Sequence, residues 1–324
     1  MRTKALLSGL IMACGFSMPG LAQNFPDKPI TMIVPFAAGG PTDTVARTIA
    51  ASMQDNLKQT VIVENVGGAG GTIGAARAAR AAPDGYTVLL HHIGMATAPA
   101  LYRKLSFDPL KDFEYIGEVT DVPMTLIARG DFAPKDFKQF LFYVKANKDK
   151  LSYANAGLGS ASHLCGVLFF SAIQTDMVTV SYKGTGPAMT ALLGGEVDFM
   201  CDQTTNTTSQ IKGGKVKAYA VTTATRVASL PDLPTMQEEG MKGFEVGVWH
   251  ALYAPKGTPK PVVDRLVQAL QAAMKDPAVK TRFNDLGTDP ASPEKATPAY
   301  LQKHLTSEIA KWGPVLKAAG QYAD

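Results

Sequence analysis

The sequence has few cysteines and, after its first residues, no long apolar run. Of its 324 residues only three are cysteine, and one of these, Cys14, lies among the first 22 residues. Three cysteines are too few for a disulfide-stabilised scaffold. No later stretch reaches ~18 uninterrupted apolar residues, which excludes a conventional membrane-spanning helix.

The sequence also lacks an excess of charge of one sign and the common catalytic motifs. Its 32 Lys and Arg residues nearly balance 28 Asp and Glu residues, which gives no indication of nucleic acid or an anionic membrane as partner. H-E-x-x-H, G-x-S-x-G and Walker motifs are absent, and the five histidines are scattered. We therefore predict no enzyme, no cofactor and no metal site. A hydrolase that uses serines of the segment 157–162 remains a remote alternative.

Residues 1–22 have the pattern of an export signal. Arg2 and Lys4 form a basic start, residues 5–18 an apolar middle too short for a bilayer, and residues 20–22 a small-x-small end. We therefore expect a cleaved signal and a periplasmic protein. In an oxidising compartment the remaining pair, Cys165 and Cys201, forms either one disulfide or two buried free thiols.

The segment 35–43, PFAAGGPTD, joins a predicted strand to a predicted helix. Residues 30–34 are mostly β-branched and apolar, and residues 44–53 have apolar residues at helical spacing. Two glycines permit a sharp turn, and Pro41, Thr42 and Asp43 suit the start of a helix. Unpaired amides and the positive end of a helix dipole would meet here, which predicts an anion site built from backbone.

A second glycine-rich segment, residues 66–74, follows the next predicted strand, at 60–65. A dinucleotide site is the enzymatic alternative, but the required G-x-G-x-x-G fails because Ile73 occupies the last glycine position. A third strand, 86–90, ends at His91 and His92. These rings point to opposite faces of an extended chain, so at most one of them reaches a common crevice.

Alternating strands and helices predict an α/β fold with mostly parallel sheets flanked by helices. The pattern repeats after residue 113, with predicted strands at 115–119 and 124–129 separated by Pro123. A strand-forming run at 243–254 returns the chain to the first part, and the tail is helical. We predict a two-lobed binding protein of the Venus flytrap type with two crossover strands at the hinge. The predicted first lobe contains residues 23–123 and 247–324, and the second contains residues 124–246.

Several segments together resemble one protein family, the periplasmic solute-binding receptors of tripartite tricarboxylate transporters, or Bug receptors. The segments carrying the resemblance are 29–43, 64–71 (ENVGGAGG), 83–87 (PDGYT), 182–188 (YKGTGPA), 194–198 (GGEVD), 233–235 (LPT) and 253–259 (YAPKGTP). The resemblance covers the whole chain after the signal. It implies capture of a small carboxylate between two lobes and delivery to a membrane permease.

The resemblance also implies a set of binding residues. Family members hold the carboxylate through backbone amides and ordered water, without an arginine clamp. By position, the first-lobe contacts map to Phe36, Gly39, Thr42, Asp43, Gly67, Gly68, Ala69 and Gly70. The second-lobe contacts map to Gly157, Ser160, Ala161, Ser162 and Asp202.

The segment around Asp202 is similar to the subgroup with amino-acid receptors such as the aspartate-binding one, so Asp202 is a candidate partner for a ligand ammonium. A buried structural aspartate is the alternative. His92 and Lys183 complete the candidate set, although Lys183 falls in a turn where solvent is its ordinary environment. The expected ligand is a dicarboxylate, an amino acid or an aromatic acid, and the expected protein is a monomer. A receptor that signals to a membrane kinase would share the same sequence features.

Overall fold

The computed structural model describes residues 25–320 and 322. The predicted signal, residues 1–22, lies outside them. The nine strands within these described residues are β1 (Ile30–Val34), β2 (Val61–Asn65), β3 (Thr87–His92), β4 (Phe113–Arg129), β5 (Ser152–Asn155), β6 (Val178–Ser181), β7 (Phe199–Gln203), β8 (Val216–Val221) and β9 (Gly247–Pro255). The ten α-helices of the described chain are α1 (Pro41–Leu57), α2 (Thr72–Ala79), α3 (Gly94–Leu101), α4 (Phe137–Ala146), α5 (Ala161–Ile173), α6 (Thr185–Gly194), α7 (Thr204–Lys212), α8 (Lys260–Lys275), α9 (Pro277–Asp285) and α10 (Pro298–Ala318).

The strands form two mostly parallel arrays, one for each lobe. In the first, β1 pairs in parallel with β2 and β3, and β9 runs antiparallel to both β3 and β4. In the second, β5 pairs in parallel with β6 and β7, and β4 runs antiparallel to both β7 and β8. Each array therefore contains a single strand of opposite direction.

Strand β4 belongs to both arrays and joins the lobes. Its pairing with β9 ends at Pro123 opposite Gly247, and its pairing with β7 begins at Met124 opposite Gln203. The sequence predicted two separate strands here because Pro123 cannot donate a ladder hydrogen bond. The missing donor is tolerated because Pro123 occupies the point where β4 changes partners.

Apolar helix faces cover both sides of the first array. Residues of α1, α8 and α9 pack on one face with Met32, Val34 and Leu90. On the opposite face, residues of α3 and α10 join a second cluster that continues into the second lobe and includes Phe140 and Phe199. The lobes are thus connected by a shared apolar core as well as by β4 and by the chain segment that leads into β9.

Two helices, α3 and α7, have no clear sequence signal. Helix α3 is almost wholly apolar and contains Pro99, so it has no amphipathic period. Helix α7 begins with poor helix formers, Thr-Thr-Asn-Thr-Thr. It is supported by tertiary hydrogen bonds instead, since Thr204 Oγ1 donates to Gly287 O and Thr208 Oγ1 to Leu286 O.

Cys165 of α5 and Cys201 of β7 are joined by a disulfide, with their Cα atoms 6.2 Å apart. The bond ties the helix behind one of the site loops to the sheet of the second lobe. Within residues 25–320 and 322, no helix has both the length and the apolarity needed to cross a bilayer.

Candidate functional site

The carboxyl ends of the parallel strands of both lobes face one narrow space, which we call the inter-lobe gap. The loops after β1 and β3 reach it from the first lobe, and those after β5, β6 and β7 reach it from the second. This convergence follows from the topology, because parallel strands bring their following loops to one edge. The lining residues are Phe36, Gly40, Pro41, Thr42, His92, Ala156, Ser160, Ala161, Ser162, Thr185 and Gln203.

Four helices begin at the inter-lobe gap. Helix α1 enters with Pro41 at its first turn, α5 with Ser160 as N-cap, α6 at Thr185 and α7 after Gln203. The first-turn amides of a helix have no acceptor within it, and the helix dipole places partial positive charge there. None of the described residues that line the gap is Lys, Arg, Asp or Glu. The gap therefore favours an anion through its backbone.

The two lobes are in contact across the gap. Ala37 N donates to Lys183 O at 3.0 Å, and Tyr102 Oη donates to Leu158 O at 2.8 Å. The enclosed volume is only about 10 Å³, about the space that one water molecule needs. A dicarboxylate can enter only when the lobes move apart, so this arrangement is a closed one.

Backbone groups set the tautomers of two histidines, His92 at the gap and His250 behind it. Gly94 N donates to His92 Nδ1 at 2.9 Å, so the proton of the neutral ring lies on Nε2. His250 Nδ1 lies 3.0 Å from Val248 O and must donate to it, which leaves Nε2 as an acceptor. Burial lowers the pKa of His92 well below its usual value and the pKa of His250 to about 3. Both rings are therefore neutral at physiological pH.

The hydroxyls at the start of α5 form a small network. Ser160 Oγ accepts from His163 N and Ser162 Oγ accepts from Ala156 N, with 3.2 Å between the two oxygens. Since one hydroxyl donates to the other, the pair has one remaining proton to offer. This network fixes the loop after β5 at the edge of the inter-lobe gap.

The carboxylate of Asp43 stabilises the first glycine-rich loop and does not line the gap. It accepts hydrogen bonds from Gly39 N (3.0 Å), Arg47 Nε (2.9 Å) and Asn65 Nδ2 (3.0 Å). Burial alone would raise the pKa of Asp43, but these hydrogen bonds outweigh it and lower the pKa. Asp43 thus stays ionised while it shapes the loop.

Six of the fifteen candidate contact residues come together at the inter-lobe gap. These are Phe36, Thr42, His92, Ser160, Ala161 and Ser162. Gly67, Gly70 and Gly157 lie beside it, where the lobes touch: a Cβ on Gly67 would lie 2.9 Å from Lys183 O, and one on Gly157 would lie 3.0 Å from Gly70 N. The loop residues Gly39, Gly68 and Ala69 adopt positive φ and are not among the lining residues.

Lys183 and Asp202 are not placed for the roles the sequence suggested. The Lys183 side chain is exposed, and only its carbonyl reaches the first lobe. Asp202 is fully buried and does not line the gap. It accepts from Gln203 N and Asn206 Nδ2, and burial raises its pKa to about 6. Neither residue is among those that line the gap, so the structure gives no support to either role.

Sequence reasoning missed Thr185 and Gln203 as site residues. Thr185 follows β6 and Gln203 is the last residue of β7, so both lie at the same edge of the second-lobe sheet as Ser160 after β5. The signal was available, since every parallel strand of a binding fold delivers its following loop to the same edge. Gln203 precedes the helix α7 that the sequence did not predict.

The family model described as "Tripartite tricarboxylate transporter family receptor" (TctC) matches residues 45–321. The chain belongs to this family. Members of the TctC family are periplasmic solute-binding receptors and not enzymes. The comparison confirms the predicted family and the absence of enzymatic function.

Individual relatives agree with the TctC assignment. The chain is similar to the periplasmic binding protein BugD, with 56% identity, a TM-score of 0.91, and coverage of 93% of this chain and 100% of that one. MatC of Rhodopseudomonas palustris, solved with bound malate, is 44% identical with a TM-score of 0.87, covering 90% and 100%. A UPF0065 protein of Agrobacterium vitis is 50% identical over 94% of this chain and 89% of its own. These structures confirm the two-lobed periplasmic binding fold.

Proposed function

We propose that this receptor captures a small dicarboxylate in the inter-lobe gap and delivers it to the membrane permease of a tripartite tricarboxylate transporter. The observation that carries the proposal is the meeting of four helix N-termini at a gap where none of the described lining residues is charged. Peptide amides and bridging waters bind a carboxylate nearly as well as direct side-chain contacts do.

The residues at the inter-lobe gap favour a ligand with two carboxylate groups over a ligand with one carboxylate and one ammonium group. Both lobes present helix N-termini, so each can receive one carboxylate. An ammonium would need an anionic partner. Asp202, the sequence candidate, is fully buried, is not among the lining residues, and already accepts hydrogen bonds from Gln203 N and Asn206 Nδ2. MatC, the similar protein solved with malate, supports a dicarboxylate for this chain.

The proposed contacts are the six predicted residues that line the gap, with Thr185 and Gln203 added. The glycines at 67, 70 and 157 act instead as close-approach points between the lobes. We place the lobe boundaries as the sequence predicts, at 123/124 and 246/247, which the change of partner along β4 supports. We further propose that residues 1–22 are removed on export and that the receptor is a monomer in solution.

Calorimetric titration of the purified receptor tests the proposal, with succinate, malate, adipate, L-aspartate, benzoate and acetate as ligands. We expect dicarboxylates to bind with the lowest Kd. The decisive variant is Ala161→Asp, because Ala161 lines the gap in the first turn of α5. An acidic residue suits that helix position but repels a bound dianion, so we expect at least a hundredfold loss of affinity, about 2.7 kcal/mol.

Ala299→Asp is the matched control, since Ala299 is exposed in the first turn of α10, away from the gap. It should bind as the unmodified receptor does. Failure of every dicarboxylate to bind, or full affinity in Ala161→Asp, would contradict the proposal.

A further inference from the structure

Thr42, at the start of α1, contacts a histidine that itself lies behind the gap. Thr42 Oγ1 is 3.3 Å from His250 Nε2, and both residues are buried, with 2% and 0% of their surface exposed. His250 belongs to β9, so this contact lies within the first lobe. It does not depend on closure.

The direction of this hydrogen bond follows from the backbone. Val248 O can only accept, so the single proton of the neutral His250 ring lies on Nδ1. His250 Nε2 then has a lone pair, and Thr42 must donate its hydroxyl proton to it. The Thr42 oxygen keeps two lone pairs and has no proton left for a ligand.

A second acceptor at the gap is Gln203 Oε1. The residue is 3% exposed, and no donor of the described chain reaches this oxygen. Leaving a buried acceptor unpaired is unfavourable, and a ligand donor would relieve this cost. Thr42 Oγ1 and Gln203 Oε1 thus provide acceptors from opposite lobes, among helix amides that are all donors.

An acceptor repels a carboxylate oxygen but stabilises a hydroxyl hydrogen. We propose that the receptor selects a hydroxylated dicarboxylate, whose hydroxyl donates to Thr42 Oγ1, and that His250 is the positioning residue that makes Thr42 an acceptor. This inference rests on the proposed function and adds which dicarboxylates the same site prefers. An ammonium is disfavoured at this position because none of the described lining residues is anionic.

The test compares ligands that differ by one group. Kd is measured for succinate, L-malate, D-malate and L-aspartate. The acceptor has a fixed place, so we expect one malate enantiomer to bind about tenfold more tightly than succinate, the factor of one added hydrogen bond. L-aspartate should bind more weakly than that enantiomer.

For each variant we compare the ratio of the succinate Kd to the malate Kd, because a general loss of packing does not change this ratio. Thr42→Val keeps the shape and removes the acceptor, so the ratio should fall to about 1, whereas Thr42→Ser should retain it. His250→Phe removes the partner that holds the Thr42 proton, which frees the hydroxyl to donate to a carboxylate, and the ratio should again fall. Circular dichroism checks that each variant is folded. If Thr42→Val and His250→Phe are not folded, the same ratio is measured for Gln203→Leu, which removes the second acceptor.

Three results would overturn this inference and leave the proposed function standing. These are equal affinity for succinate and both malates, tighter binding of L-aspartate, and an unchanged ratio in folded Thr42→Val or folded His250→Phe. If no dicarboxylate binds at all, the proposed function fails and this inference fails with it.

Discussion

At the residue scale, Gly70 sets how closely the lobes approach. It adopts φ +60°, and a Cβ there would lie 1.8 Å from Leu158 O of the opposite lobe. Because this neighbour is backbone, it cannot rotate away as a flexible side chain would. Only a residue without Cβ permits the observed contact.

We predict that Gly70→Ala weakens ligand binding by about tenfold or more. The added methyl group prevents full closure, and the affinity of a receptor falls with the fraction of binding-competent molecules. Calorimetry with the dicarboxylate that binds most tightly provides the measurement.

Gly195→Ala is the control for Gly70→Ala. Gly195 has a similar φ, +77°, but nothing lies within 4 Å of the position that a Cβ would take there. Gly195→Ala therefore introduces backbone strain similar to that of Gly70→Ala but no clash, and its ligand affinity should equal that of the unmodified receptor. Equal affinity loss in both variants would show that strain, not closure, is responsible.

From the sequence alone we could predict those gap residues whose location is set by their position after a strand. Phe36, Thr42 and Ser160 follow strands, and strand order determines where loops gather. Asp43 and Asp202 could not be assigned in this way. Whether a carboxylate faces a ligand or its own loop depends on partners such as Asn65 and Asn206, which are distant in sequence or lie on a helix that was not predicted.

At the element scale, strands and helices with a regular apolar period were predicted well. The bounds of β1 agree with the expected residues 30–34, and α10 lies in the tail that was predicted to be helical, since both elements are set by local pattern and capping. The continuous β4 and the helices α3 and α7 were not predicted. Their formation depends on partners across the fold, including Gly247 and Gly287, which no local window contains.

The disulfide is a covalent constraint between two elements of the second lobe, α5 and β7. Its cysteines are separated by 36 residues, and closing a loop of this length restricts the unfolded chain by about 3–4 kcal/mol in the chain-entropy model. We predict that Cys165→Ala with Cys201→Ala lowers the free energy of unfolding by up to that amount. Urea unfolding measures the change.

The matching control is the unmodified protein in urea that contains a reducing agent. It should unfold at a urea concentration close to that at which the double variant unfolds. Two alkylatable thiols in the unreduced protein, seen by mass spectrometry, would contradict the presence of the bond.

At the scale of the whole molecule, an acidic cluster lies where β4 joins the lobes. Glu118 is 1% exposed, with Lys295 Nζ 3.3 Å from one oxygen and His304 Nε2 3.9 Å from the other. Burial raises the pKa of Glu118 to about 7. Attraction to Lys295 opposes this rise, and repulsion from Asp121 and Glu308 adds to it. The folded protein therefore binds a proton here more tightly than the unfolded chain does.

This shift predicts a pH dependence of global stability. The contribution of Glu118 is fully present below the unfolded pKa of 4.5 and is lost as pH rises through about 7. Glu118→Gln, which stays neutral, should become more stable relative to the unmodified protein between pH 5 and pH 8, by roughly 1–3 kcal/mol. Denaturant titrations at several pH values measure this difference.

Glu239→Gln, at an exposed site, serves as the control and should show a nearly constant difference over the same range. A constant difference for Glu118→Gln as well would contradict the buried-carboxyl interpretation.

The use of helix N-termini at the inter-lobe gap has a consequence for how such a receptor diversifies. A peptide N–H is present at almost every position whatever the side chain, so single substitutions seldom delete the acid-binding groups. The hydroxyl and amide side chains around them can be exchanged freely. A lineage can therefore change which acid it imports while keeping its capacity to recognise acids.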